Sequence, residues 1–199
     1  MEDITIIRKV IKKEEEAIKA LYRHLPEHLQ LCVDQLYECN GRIIFCGVGK
    51  SGHIAKKIAA TFASTGTPSF FVHADEALHG DLGMIQAEDI VILFSNSGNT
   101  EEIVNVANAL KKLKRYCIAV CADTNSKLVK NCDLALVYPM IKEADCLELA
   151  PTVSSTMMLV LGDGLACALM ERRAFNRESF YAFHPGGSLG KKLSEEQFL

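Results

Sequence analysis

From Arg42 onward the chain alternates short runs that are apolar at nearly every position with longer stretches of helical periodicity. Runs at 42–47, 69–73, 89–94, 116–121 and 133–137 read as strands, and Ile-Val-Ile-Leu-Phe at 90–94 has no polar face at all. A strand with no polar face needs cover on both sides, which a parallel sheet with crossover helices supplies. Helical patterns fill 51–65, 100–114 and 125–131, with a shorter segment near 75–80. The pattern predicts an α/β chain: a three-layer α/β/α sandwich around a five-stranded parallel sheet. Ligands of such folds gather beyond the carboxyl ends of the strands. The loops expected there are 47–52, 73–81, 95–102 and 138–152.

Two further helices come first. Apolar residues at 4, 7, 11, 18, 21 and 25 mark an amphipathic helix with the charged run 12–16 on its wet side. Pro26 then opens a second helix that runs to about Cys39. Neither carries obvious chemistry, so each is expected to pack on the core or on another subunit. The 199 residues hold no low-complexity linker or repeat, and a single domain over 1–199 is expected.

The balance of charge limits the partners. A net charge of −3 argues against a nucleic acid as the main partner, since binding a phosphate backbone needs a basic face. The stretch 153–170 approaches membrane-spanning length, but Ser154, Ser155, Thr156, Gly162, Asp163 and Gly164 interrupt it. A helix in the core or in a subunit interface is the better expectation, with no membrane partner. Met-Glu-Asp-Ile-Thr-Ile-Ile-Arg lacks the apolar segment of a signal peptide, which points to a soluble cytoplasmic protein. The eight cysteines form no C-x-x-C pair and lie mostly among apolar residues, as buried reduced thiols do.

The most chemically informative turn is Ser95-Asn-Ser97-Gly98-Asn99-Thr100-Glu101-Glu102, between a buried strand and a helix. Three hydroxyls (Ser95, Ser97, Thr100), a glycine and free helix N–H groups suit a small dianion such as a phosphate. A plain helix start, with Asn99 as N-cap and Glu102 three residues on, would use only one or two of them. Gly47-Val-Gly49-Lys50-Ser51-Gly52 satisfies G-x-G-x-x-G. The acid that a dinucleotide site needs at the end of the next strand is replaced by Val72 and His73. A Walker A loop is excluded because Ile44 stands at its first glycine. Two anion-friendly turns on neighbouring strands imply one phosphorylated small molecule, with Lys50 as its cationic partner or a catalytic group. Glu102 and Glu143 are candidate proton-transfer carboxylates, although spacing alone also fits solvated acids at helix starts. His73 and His79 flank Ala-Asp-Glu-Ala-Leu without a metal-ligand pattern, and His184 opens a Pro-Gly-Gly segment near the end of the chain.

Taken in order, Gly49-Lys-Ser-Gly52, Ala60-Thr-Phe-Ala-Ser-Thr-Gly-Thr-Pro68, Glu76-Ala-Leu-His79-Gly-Asp-Leu-Gly-Met84, Ser95-Asn-Ser-Gly98, Leu149-Ala-Pro-Thr152 and His184-Pro-Gly-Gly-Ser-Leu-Gly190 carry a likeness. The chain closely resembles the sugar isomerase (SIS) domain of arabinose-5-phosphate isomerases. The likeness covers about 40–193, and more loosely the N-terminal helices. It implies a flavodoxin-like SIS core over 41–193, preceded by helices over 1–40. It also implies interconversion of D-arabinose 5-phosphate and D-ribulose 5-phosphate through a cis-enediol, feeding synthesis of the lipopolysaccharide or capsule sugar Kdo. The implied catalytic residues are Lys50, Glu102, Glu143 and His184. Gly49, Ser51, His79, Ser95, Ser97 and Thr100 would bind substrate, with His79 also a candidate site of metal inhibition. The resemblance further implies a homotetramer in which His184 enters a neighbour's site. No cofactor is expected, because the proton moves within one substrate.

Departures accompany the likeness. The family's common form continues into a pair of cystathionine-synthase-type regulatory modules, and this sequence ends at Leu199, so regulation by them is not expected. Ala74 stands where a proline is usual, and Glu148, where a glycine is common, would add an acid near the site. A 3-hexulose-6-phosphate isomerase shares the fold and phosphate loop but not the His-Pro-Gly-Gly segment. A non-catalytic sugar-phosphate sensor would call for a basic recognition helix that the N-terminal region lacks.

Overall fold

The computed structural model describes residues 2–184. Its centre is a five-stranded, wholly parallel sheet in the order β2-β1-β3-β4-β5. The strands are β1 (Ile43–Gly47), β2 (Ser69–His73), β3 (Ile90–Phe94), β4 (Tyr116–Cys121) and β5 (Leu134–Val137). All five expected strands form. The central strand β3 and its neighbour β1 are buried at every residue.

Alternate residues of each strand serve opposite layers. Ile43 and Phe45 of β1 join Ile90, Ile92 and Phe94 of β3 on one face. That face is covered by α1 (Asp3–Arg23), α2 (Leu29–Glu38), α3 (Gly49–Ser64) and α7 (Val153–Arg172). Ile44 and Cys46, with Val91 and Leu93, face α4 (Ala74–Leu78), α5 (Glu101–Lys112) and α6 (Lys127–Asn131). A last helix, α8 (Arg177–Phe183), had no sequence signal of its own.

The apolar helix α7 is long enough and apolar enough to cross a membrane, yet half of its most apolar window is buried inside the protein. Gly162 explains its seat. A Cβ there would lie 2.4 Å from Ile58 Cδ1, so the glycine lets α7 close onto α3. The N-terminal helix differs from a simple core helix. Only Ala17 and Leu21 of α1 are buried, while Ile4, Ile7 and Ile11 are 62%, 56% and 62% exposed. Its stripe is thus amphipathic but largely uncovered within one chain.

All eight cysteines are free thiols. Cys32, Cys46, Cys117 and Cys121 are buried as expected, but Cys146 and Cys167 are exposed, because they sit on a loop and on the outer side of α7. Burial pushes the Cys32 and Cys46 thiols up to about 12, so both remain protonated and unreactive at neutral pH.

Candidate functional site

The strand order has one topological switch point. The chain leaves β1 toward β2 and leaves β3 toward β4, so the loops after these neighbouring strands part and open a crevice. Both anion-friendly turns emerge there. The first is tight because Gly47 and Gly52 nearly touch: a Cβ on Gly47 would stand 2.8 Å from Gly52 Cα. Gly49 adopts φ +57° and starts α3 without a side-chain cap. The uncapped N–H groups of α3 therefore face the crevice end of β1. Lys50 is exposed and Ser51 half-buried in that first turn.

The second turn is organised from within. Ser95 is buried, and its Oγ lies 2.8 Å from Thr100 Oγ1 while accepting the Gly98 N–H at 3.1 Å. Ser97 Oγ is exposed and accepts the Asn99 N–H at 3.1 Å. The helix N-cap is Thr100, not Asn99. Asn99 turns outward instead, and its Oδ1 accepts the Lys127 N–H at 3.1 Å. Gly98 has φ +61°, and a Cβ there would collide with Ser126 Oγ at 2.3 Å. Ser126 is fixed in turn, being buried and capping α6. The Leu128 N–H donates to the Gly98 carbonyl and the Ala122 N–H to the Asn96 carbonyl, each at 2.9 Å. The loop is thereby braced against the start of α6.

Glu143 departs most from the solvated helix-start acid that spacing allowed. It lies in the loop between β5 and α7, and only 7% of its surface is exposed. One carboxylate oxygen, Oε2, accepts the Thr152 N–H at 2.8 Å, the Thr152 hydroxyl at 3.1 Å and the Ser154 N–H at 3.2 Å. It thus supplies the cap that the N-terminus of α7 otherwise lacks. The other oxygen, Oε1, has no hydrogen-bond partner among the described residues. One arm anchors the side chain and the other keeps a lone pair open. Tyr138, at the end of β5, links this region to the hydroxyl turn by donating to Asn96 Oδ1 at 2.9 Å. Burial holds the Tyr138 phenol well above its ordinary range, and negative charge at Cys121 or Glu143 adds to the effect.

The other predicted residues are placed less tightly. Glu102 is half-buried in the first turn of α5. His79 is exposed at the C-cap of α4, beyond β2, and His73 caps the start of the same helix through the Asp75 N–H. Among the described residues no three His, Cys, Asp or Glu side chains are grouped as a metal ion would require. His184 ends α8, where its ring stacks on Phe180 at 4.0 Å and its Nδ1 lies 2.8 Å from the Phe180 carbonyl oxygen. The motif from Pro185 to Gly190 lies outside the described residues. Glu148 is no loose acid: its carboxylate lies 2.6 Å from Lys142 and 3.9 Å from Lys13. Sequence reasoning passed over Tyr138, Asn96 and Ser126. Only the polar Asn96 inside the hydroxyl turn gave a signal, since Tyr138 reads as one more apolar residue at a strand end.

Comparison with known proteins bears on the fold and the family. The arabinose 5-phosphate isomerase KdsD of Salmonella typhi is 45% identical over 186 residues, which cover 94% of this chain and 57% of that protein. The arabinose 5-phosphate isomerase KpsF of Escherichia coli O6:H1 is 44% identical, covering 96% of this chain and 58% of that protein. The chain thus spans little more than half the length of these curated relatives. A solved structure of E. coli CFT073 c3406 in complex with arabinose 5-phosphate superposes with a TM-score of 0.90 at 46% identity, over 93% of this chain and 100% of that one. A phosphosugar isomerase from Bacteroides fragilis, described as putative and as involved in capsule formation, gives 0.87 at 35%, over 94% and 99%. The SIS domain family matches residues 35–168, and the chain belongs to it.

Proposed function

We propose that this chain is an arabinose-5-phosphate isomerase that interconverts D-arabinose 5-phosphate and D-ribulose 5-phosphate. The observation that carries the chemistry is Glu143, anchored through Oε2 and open at Oε1. Support for the substrate comes from the relatives' names and from the similar structure that holds arabinose 5-phosphate. In this reading Ser97 and Thr100, on the frame set by Ser95, hold the phosphate. Gly49, Ser51 and the uncapped start of α3 complete its cradle.

With the phosphate fixed, Glu143 Oε1 takes the proton from C2 of the open-chain aldose. The electron pair forms the C1–C2 double bond, and the C1 oxygen carries the developing charge until it is protonated. Lys50 stabilises that charge. The C2 hydroxyl then gives up its proton as the C2 carbonyl forms, and the Glu143 acid returns its proton to C1. Glu102 is the second carboxylate for this transfer. His79 lies toward the sugar ring and is a candidate for metal inhibition, and His184 relays hydroxyl protons or assists ring opening.

His184 reaches a neighbour's site in a homotetramer, on this reading. The exposed apolar residues Ile4, Ile7 and Ile11 on α1 and Leu147 and Leu149 beside Glu143 support an assembly that covers them. The protein works in the cytoplasm and its product feeds Kdo synthesis. The test is proton NMR of chelator-treated protein with D-ribulose 5-phosphate. Anomeric signals of arabinose 5-phosphate should grow in, and should fail to do so with Glu143→Gln. Binding without turnover would overturn the assignment.

A further inference from the structure

The peptide that joins Glu143 to Ala144 is held at both ends. Lys13 Nζ, on α1, donates to the Glu143 carbonyl oxygen at 2.5 Å. On the other side of the same peptide, the Ala144 N–H donates to Thr152 Oγ1 at 2.9 Å. Thr152 is also the residue whose N–H and hydroxyl grip Glu143 Oε2. A second bond follows immediately on α1: Glu14 Oε2 accepts the Thr156 hydroxyl at 3.2 Å, one turn into α7. Helix α1 therefore touches both the loop that carries Glu143 and the helix that anchors it.

The loop needs such a tie. It runs from the end of β5 to α7 with no regular element, and Glu148 within it takes φ +57°, a conformation that costs a non-glycine residue about 1 kcal/mol or more. Asp145 folds the far part on itself, accepting the N–H groups of Leu147, Leu149 and Ala150 at 2.8–2.9 Å. None of those bonds reaches the Glu143 peptide. The Glu148 carboxylate, held by Lys142 at 2.6 Å, lies 3.9 Å from Lys13 and flanks its ammonium group.

We propose that Lys13 is a positioning residue for Glu143, so that the N-terminal helix, outside the span 35–168 that defines the family match, is part of the catalytic apparatus. This rests on the reading of Glu143 as the proton-transfer group. Positioning within a fraction of an ångström matters because a small displacement of a reacting group costs rate, not binding.

The test compares Lys13→Met, Lys13→Arg and Lys12→Met in the full chain. Lys12 lies on the same helix, and among the described residues its one ion pair is with the exposed Glu16 at 4.0 Å, so it controls for the lost charge. With D-ribulose 5-phosphate, and rates scaled to the folded fraction, Lys13→Met should lower kcat roughly ten- to a hundredfold with KM within about twofold. Lys13→Arg should recover most of the loss, and Lys12→Met should show none. Amide exchange at Ala144, Thr152 and Ser154 reads the tie without turnover, and Lys13→Met should speed it about tenfold over Lys12→Met. Unchanged exchange, or an unchanged kcat in an active enzyme, overturns the proposal. Faster exchange in a protein that isomerises nothing sinks the functional reading and leaves the tie standing.

Discussion

The Tyr138 hydroxyl donates to Asn96 Oδ1 at 2.9 Å, joining the end of β5 to the hydroxyl turn after β3 across the intervening strand. Tyr138 is 1% exposed, so its ring packs as core while its oxygen serves the site. Tyr138→Phe keeps the packing and removes one bond. A stability loss of about 1 kcal/mol is expected, since Asn96 is half-buried and water replaces part of the interaction. The loosened turn should raise KM more than it lowers kcat. Urea unfolding and steady-state kinetics with D-ribulose 5-phosphate check both, and an unchanged KM would show that the turn holds itself.

Gly98 is the point where that turn meets α6. Its φ of +61° is strained for any side chain, and a Cβ would stand 2.3 Å from Ser126 Oγ and 2.5 Å from Ser126 Cβ. Ser126 has no freedom to retreat, because it is buried and caps α6. Gly98→Ala should therefore cost roughly 1–3 kcal/mol and displace the turn. Loss of protection by inorganic phosphate against thermal unfolding is the readout, and wild-type-like protection would contradict it.

Much of the scaffold was legible because its signals are local. An all-apolar strand such as Ile90–Phe94 can only be covered on both faces, and this one property leads to a parallel sheet and so to loops gathered at one end. The hydroxyl turn was legible for the same reason, as strand, turn and helix lie within a dozen residues. What escaped depends on contacts distant in sequence or on direction. Glu143 looked solvated because its burial comes from Thr152 and Ser154, which the chain brings back only after the loop. The cap passed from Asn99 to Thr100 because Lys127, on another helix, claims the Asn99 side chain. The stripe on α1 is amphipathic as its spacing implies, but periodicity does not say what covers it, and Ile4, Ile7 and Ile11 stand in solvent.

At the opposite end of the sheet, Asp89 should set the acid limit of stability. Its side chain is 1% exposed, and it accepts bonds from the Arg42 guanidinium at 2.8 Å, the Arg42 N–H at 2.7 Å and the Gln86 N–H at 2.8 Å. Burial raises its carboxyl, but these donors outweigh burial and hold it below the usual carboxylate range. A depressed folded-state value contributes stability in full above the unfolded value, about pH 4, and loses it as pH falls through the folded one. Asp89→Asn should cost roughly 1.5–3 kcal/mol at neutral pH. The gap between variant and wild type should close as pH drops below about 4. Urea titrations across that range decide it, and a gap independent of pH would contradict the assignment.

Glu143→Gln separates the two arms of that carboxylate. The amide oxygen can replace Oε2 and still accept from Thr152 and Ser154, so the start of α7 stays capped. The amide nitrogen then occupies the position of Oε1, and it has no lone pair to take a proton. Stability should change by less than about 1 kcal/mol, because the neutral oxygen makes weaker bonds but makes them all. Turnover should fall about 10²–10⁴-fold, the range for loss of a general base. Glu143→Ala should add a second deficit, since three donors at the head of α7 lose their acceptor and the fold weakens as well. If the two variants lose activity and stability together, the carboxylate is only a cap. If Gln loses turnover alone, the open oxygen carries the chemistry.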